Sequence, residues 1–171
     1  MGAARHLALL PNLVAQTVVW PVPFADGVPQ LLALRGRRVV MLASGDPFWF
    51  GAGTVLAQHL QPDEWTALPG PSVFSLAAAR LGWGLESAAC LGLHAAPVTR
   101  LRPHLSPGFR AIMTLRDGSA VADLAAYLAG EGFGATILIV LEALGGPRER
   151  IRRVTAGDYD LTDVQHPVAW A

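Results

Sequence analysis

The sequence predicts an α/β protein of two lobes, on three observations. Short apolar runs that read as strands alternate with helical patterns along the chain. The runs empty into Gly- and Pro-bearing turns, most clearly Ser44-Gly45-Asp46-Pro47 and Pro69-Gly70-Pro71-Ser72. The pattern then restarts after Pro107-Gly108, which predicts a larger lobe over 1–107 and a smaller one over 108–171.

Composition bounds the answer. At 171 residues, 52% hydrophobic and 15% charged, the chain can bury a real core and disorder is not expected. Thirteen basic residues, all arginine, balance thirteen acidic ones, so there is no electrostatic footprint for nucleic acid. The lone Cys90 lies in an apolar stretch and reads as a small buried side chain. Apolar runs are too short to span a membrane and the N-terminus lacks a signal-peptide pattern, so a cytoplasmic protein is expected.

The chain enters a helical turn almost at once, then reads as extended at Val18-Val19-Trp20 and as loop through Pro21, Pro23, Asp26 and Gly27. A helix over 30–35 ends at Gly36, since glycine tolerates the left-handed cap. The apolar run 39–43 is the first clear strand and breaks into the Ser44 turn. A second strand, 64–68, ends in the Pro69 turn. In open α/β sheets ligands sit at strand carboxyl ends, so these turns predict one half of a ligand crevice.

Phe48-Trp49-Phe50 either plugs a sheet edge or faces a flat ligand, two readings in balance. Gly51-Ala52-Gly53 opens a helix over 54–60 but lacks the third glycine of a dinucleotide fingerprint. Ser72 is a good N-cap for a thin, alanine-rich helix closed by Gly82. A strand over 87–93 leads to His94, and 97–107 reads as a linker carrying Arg100, Arg102 and His104. The second lobe predicts strands at 109–115, 135–141 and 149–155, a helix over 120–129, a short helix at 158–161 and a last strand from Val168.

The two turns with their flanking residues, then Leu93-His94, then Glu142-Ala143-Leu144-Gly145-Gly146-Pro147, in this order and spacing, resemble the tetrapyrrole (corrin/porphyrin) methylase family over nearly the whole chain. The resemblance implies two α/β lobes with a cofactor cleft between them, S-adenosyl-L-methionine as cofactor and a precorrin tetrapyrrole as substrate. The implied activity is methyl transfer to C5 of precorrin-6Y in cobalamin (vitamin B12) biosynthesis. Carried over by position, the cofactor residues are Ser44, Gly45, Asp46, Trp49, Ser72, Val73, Thr114, Leu115, Ala143 and Leu144. For Asp46, a turn-forming role outweighs a ligand contact on general turn statistics. Arg80, Arg100, Arg102 and His94 are candidates for substrate carboxylates, because arginine suits bidentate carboxylate binding. No catalytic base and no metal are nominated.

Three departures shape the expectation. The family opens on a strand and a glycine-rich loop, whereas Gly2-Ala3-Ala4-Arg5-His6-Leu7 matches sequence after that loop, so both are expected to be missing. The family's Leu-His-Gly-Arg turn is Leu93-His94-Ala95-Ala96. The chain stops near Trp170, before the last strand would finish, so the second lobe is expected to be truncated at its end; methylation at C15 and decarboxylation would belong to a second methylase domain or subunit, and an open sheet edge would favour homo-oligomers. Two other readings stay open: a methyltransferase of the same fold acting on RNA or protein, and a non-catalytic fragment that binds a tetrapyrrole or a partner.

Overall fold

Along residues 111–115, Ala111, Met113 and Leu115 belong to one apolar core and Ile112 to another, which is the alternation a two-faced strand must show. The computed structural model describes all 171 residues and divides them into two compact units, Met1–Ser72 and Val73–Ala171. No helix is long and apolar enough to cross a membrane.

The second unit is built on a five-stranded sheet. Its strands are β1 (Ala89–Gly92), β2 (Ala111–Thr114), β3 (Ile137–Glu142), β4 (Arg150–Thr155) and β5 (Val168–Trp170), ordered β1-β2-β5-β3-β4. β1 is parallel to β2, and β5 is antiparallel to both β2 and β3. The C-terminal ends of β1, β2 and β3 therefore share one edge. One face is covered by the helix Ser119–Gly130, which buries Val121, Leu124 and Leu128 against Met113, Leu138, Val140 and Trp170. The helix Val73–Leu81 covers the other, setting Phe74, Ala77 and Ala78 against Ile112, Ile139, Leu141 and Ala169.

These elements follow the predicted ones closely, with four differences. The last strand is a central one, bonded on both sides and wholly buried despite its three residues. The segment 97–107 is a packed crossover: parallel β1 and β2 cannot be joined by a tight turn, so the chain returns through a 3-10 stretch, Val98–His104, that buries Leu101. Because β1 and β2 pair, the predicted boundary near 107 falls inside this unit. The short helix predicted at 158–161 is a 3-10 turn at Ala156–Asp158.

The first unit holds three short helices, here α1 (Ala4–Leu7), α2 (Gly27–Leu32) and α3 (Ala52–Leu56), so the two helices above are α4 (Val73–Leu81) and α5 (Ser119–Gly130). Its core is small: Met1, Trp20, Val28 and Leu56. Gly27 has to be glycine, since a Cβ there would overlap the Trp20 indole. The run 39–43 joins no ladder; its backbone bonds to Met1, whose ammonium donates to the Val40 carbonyl (2.7 Å) and whose carbonyl accepts the Leu42 N–H (2.8 Å). Residues 65–68 likewise belong to no strand. The two predicted strands of this unit thus form no ladder; both line an open cavity of about 890 Å³ with Leu31, Leu56 and Trp65 among its walls.

Candidate functional site

In the first unit the two predicted turns meet. The Gly70 N–H donates to the Gly45 carbonyl at 3.2 Å. Gly45 has φ of +59°, and a Cβ on it would stand 3.2 Å from the Pro71 carbonyl oxygen and 3.5 Å from the Ser72 Cα. Only glycine gives both this conformation and this approach. The Asp46 carboxylate accepts the Phe48 N–H at 2.8 Å, so its side chain shapes its own turn. Ser44 Oγ shares a 2.8 Å hydrogen bond with His6 Nε2, and Ser72 is buried. The loop then folds on itself through Gly53 N–H to the Pro47 carbonyl (2.8 Å). Phe48 stacks on Trp65 with ring centroids 5.1 Å apart, while Trp49 and Phe50 stay exposed; none of the three plugs a sheet edge.

In the second unit the shared strand edge collects His94, Thr114, Leu115, Ala143 and Leu144. His94 Nδ1 and Thr114 Oγ1 share a 3.1 Å hydrogen bond. Leu115 is confined to a backbone role: its side chain is buried in the α5 core and its N–H donates to the Val168 carbonyl at 3.3 Å. Ala143 is left-handed at φ +48°, its N–H donates to the Pro167 carbonyl (2.9 Å) and its carbonyl accepts the Gly146 N–H (3.0 Å). Leu144 follows with its backbone N–H and carbonyl free of protein partners. Its side chain and that of Val73 pack against the same core cluster, on the α4 face.

The four residues proposed for substrate carboxylates are not brought together. Arg80 is already paired with Glu149, Nε to Oε1 at 2.6 Å and Nη2 to Oε2 at 3.0 Å. Arg102 faces Glu131 at 3.7 Å. Glu131 lies at the C-terminal end of α5, which runs back from the β2 terminus, so Arg102 sits at the sheet edge opposite His94. Arg100 is exposed on the same crossover. His94 stands at the edge with the other candidates, and Arg80 reaches it only through Glu149, whose carboxylate accepts the Gly145 N–H.

Two carboxylates that were not among the predicted site residues anchor this end of the sheet. Glu142 is almost wholly buried at the end of β3 and accepts from Arg150 (2.9 and 2.8 Å), Arg152 (3.1 Å) and the Gln165 N–H (2.8 Å). Burial pushes its carboxyl up; the bonds from Arg150 and Gln165 and the two guanidinium charges overcome this and hold it below the ordinary range. Arg150 and Arg152, two apart on one strand face, were the available signal. Glu149 carried none, because its partner Arg80 is remote in sequence. Cys90 is half-buried, and burial pushes its thiol up.

Comparison with known proteins decides the family. The model of the tetrapyrrole (corrin/porphyrin) methylases matches residues 26–160. The chain belongs to the tetrapyrrole methylase family. This methylase chain is 44% identical over 168 residues to the precorrin-6Y C(5,15)-methyltransferase [decarboxylating] of a Sinorhizobium species, covering 98% of the chain and 40% of that relative. It thus spans less than half of that relative. A cobalt-precorrin-7 C(5)-methyltransferase of Salmonella typhimurium is 25% identical over 170 residues, covering 95% of the chain and 82% of the relative. Among solved methylase structures, the uroporphyrin-III C-methyl transferase of Thermus thermophilus complexed with S-adenyl homocysteine has the same fold, with TM-score 0.70 at 20% identity over 98% of this chain and 79% of that one.

Proposed function

We propose that this chain is an S-adenosylmethionine-dependent methyltransferase that methylates C5 of a precorrin macrocycle in cobalamin biosynthesis. One observation carries the reading. The chain spans 40% of a relative named for C5 and C15 and 82% of a relative named for C5 alone. The reaction common to both names is the one assigned to this chain. Methylation at C15 and decarboxylation would then fall to a second domain or subunit.

The residues present fit the cofactor. Gly45 leaves bare backbone where a side chain would collide with Pro71, and Leu144 offers an unpaired N–H and carbonyl at an apolar position. The residues proposed to hold it are Ser44, Gly45, Asp46, Trp49, Ser72, Val73, Thr114, Leu115, Ala143 and Leu144. Asp46 would act through its turn and Leu115 through its backbone.

When bound, the cofactor supplies a methyl group on a cationic sulfur, already activated toward a nucleophilic carbon. What these residues then do is bind and align. Orientation of two reactants can account for about 7–11 kcal/mol of a barrier, so no obligatory base is assigned. His94, hydrogen-bonded to Thr114 at the strand edge, is the residue proposed to face a substrate carboxylate.

The test is incubation of the chain with a precorrin-6Y macrocycle and cofactor carrying a ¹³C methyl. The reading expects one labelled methyl, located at C5 by NMR. A methyl at another carbon, or transfer to RNA or protein instead of the macrocycle, would overturn the assignment.

A further inference from the structure

We infer that Glu149 and Arg80 are positioning residues that hold the Leu144 backbone in place for the cofactor; the inference rests on the function proposed above. Residues 143–149 join β3 to β4 by a long loop rather than a tight hairpin. Two of them take left-handed backbone, Ala143 at φ +48° and Gly145 at φ +76°. Such geometry in a non-glycine residue persists only where its surroundings enforce it. Ala143 is held by its bond to Pro167, and Gly145 is held by Glu149: the Gly145 N–H donates to Glu149 Oε2 at 2.7 Å. Leu144, whose N–H and carbonyl are unpaired, is suspended between these two anchors.

The Glu149 carboxylate is itself fixed. Arg80 grips it with two N–H bonds, so Oε2 serves Arg80 and Gly145 together. Arg80 stands on α4 in line with Leu76 and Val73, spaced i, i+3, i+7, and so on one helical face. Leu76 closes against the same turn, its Cδ1 lying 3.3 Å from where a Cβ on Gly145 would be. One stripe of α4 thus carries a proposed cofactor contact, packs the turn and clamps it. The pair is partly solvent-exposed, at 41% for Arg80 and 23% for Glu149, and an ion pair of that kind contributes little stability. What it supplies is geometry, through a third partner that a plain surface pair lacks.

That third partner makes the test. Wild type, Glu149→Gln, Glu149→Ala, Arg80→Lys and the swap Arg80→Glu with Glu149→Arg would be compared by thermal melting, amide exchange at Gly145, and titration with S-adenosylhomocysteine. The expected result is a loss of affinity of about tenfold in Glu149→Ala and a smaller loss in Glu149→Gln, which keeps an acceptor for Gly145. Arg80→Lys should fall between Glu149→Gln and wild type. Gly145 exchange should quicken in Glu149→Ala with the melting temperature nearly unchanged. The swap restores the ion pair but offers Gly145 no acceptor, so its affinity should stay low. Full rescue by the swap, or wild-type affinity in Glu149→Ala, would overturn the positioning role and leave the cofactor reading standing. Failure of wild type itself to bind would remove the cofactor reading and this inference with it.

Discussion

Gly70 donates its backbone N–H to the carbonyl of Gly45 at 3.2 Å, so two turns that lie well apart in sequence meet backbone to backbone. That contact depends on the absence of a side chain at Gly45, where a Cβ would come within 3.2 Å of the Pro71 oxygen and φ is +59°. Gly45→Val should therefore destabilise the first unit by about 1–3 kcal/mol, the usual cost of left-handed backbone in a non-glycine residue. Denaturant unfolding would read the loss, and titration with S-adenosylhomocysteine should show weaker binding in the same variant.

Asp46 separates a turn-former from a ligand contact. Its carboxylate accepts the Phe48 N–H at 2.8 Å, a bond that an asparagine oxygen can also accept. Asp46→Asn should bind S-adenosylhomocysteine as wild type does, and Asp46→Ala should lose stability of about 0.5–1.5 kcal/mol. A large affinity loss in Asp46→Asn would assign its charge to the ligand instead.

Glu142 is the buried anchor of the β3 end, at 2% side-chain exposure against 37% for Arg150 and 21% for Arg152. Removing one member of a buried pair strands the other, at a cost of about 3–5 kcal/mol when both are enclosed. Since both arginines reach solvent, Glu142→Ala should fall at about 3 kcal/mol or slightly below, read by chemical denaturation.

Acid should loosen the same end of the sheet. Hydrogen bonds from Arg150 and then Arg152 hold the Asp163 carboxyl down to about 2 from 3.8, and Glu142 is likewise held below its ordinary value. A carboxyl depressed in the folded state stabilises above its unfolded pKa, and that contribution drains away as pH falls through the folded value. Stability should hold above about pH 4.5 and decline toward pH 2, and Asp163→Asn should flatten that decline. An acid titration followed by far-UV circular dichroism would show it.

Much of the second unit was legible because its strands are apolar runs bounded by turns. The run ILIVLE of β3 is buried from its second residue onward, and the helix ending at Gly130 starts at an Asp117 carboxylate that accepts the Ala120 N–H at 3.1 Å. The first unit was not. Residues 39–43 have the composition of a strand, but a strand needs a neighbour, and Met1 is the one backbone that bonds them. The crossover was misread because its prolines suggested a linker while Leu101, a single buried side chain, makes it part of the core.

The same division runs through the site. Turn chemistry at Gly45 and Asp46 is local and could be read from spacing. The Arg80–Glu149 pair is tertiary, and it turns a candidate for substrate binding into the partner of a loop carboxylate. Arg102 shows the converse: an arginine of suitable type that the crossover carries to the opposite sheet edge, where it faces Glu131 at the end of α5.

The most direct test of the central claim is calorimetric titration of S-adenosylhomocysteine into the 171-residue chain beside its Gly45→Val variant. The account predicts saturable binding at a single site in the wild type, weakened at least about tenfold in the variant, since that residue joins the two turns proposed to hold the cofactor. Absence of saturable heat in the wild type, or equal binding by both proteins, would contradict it.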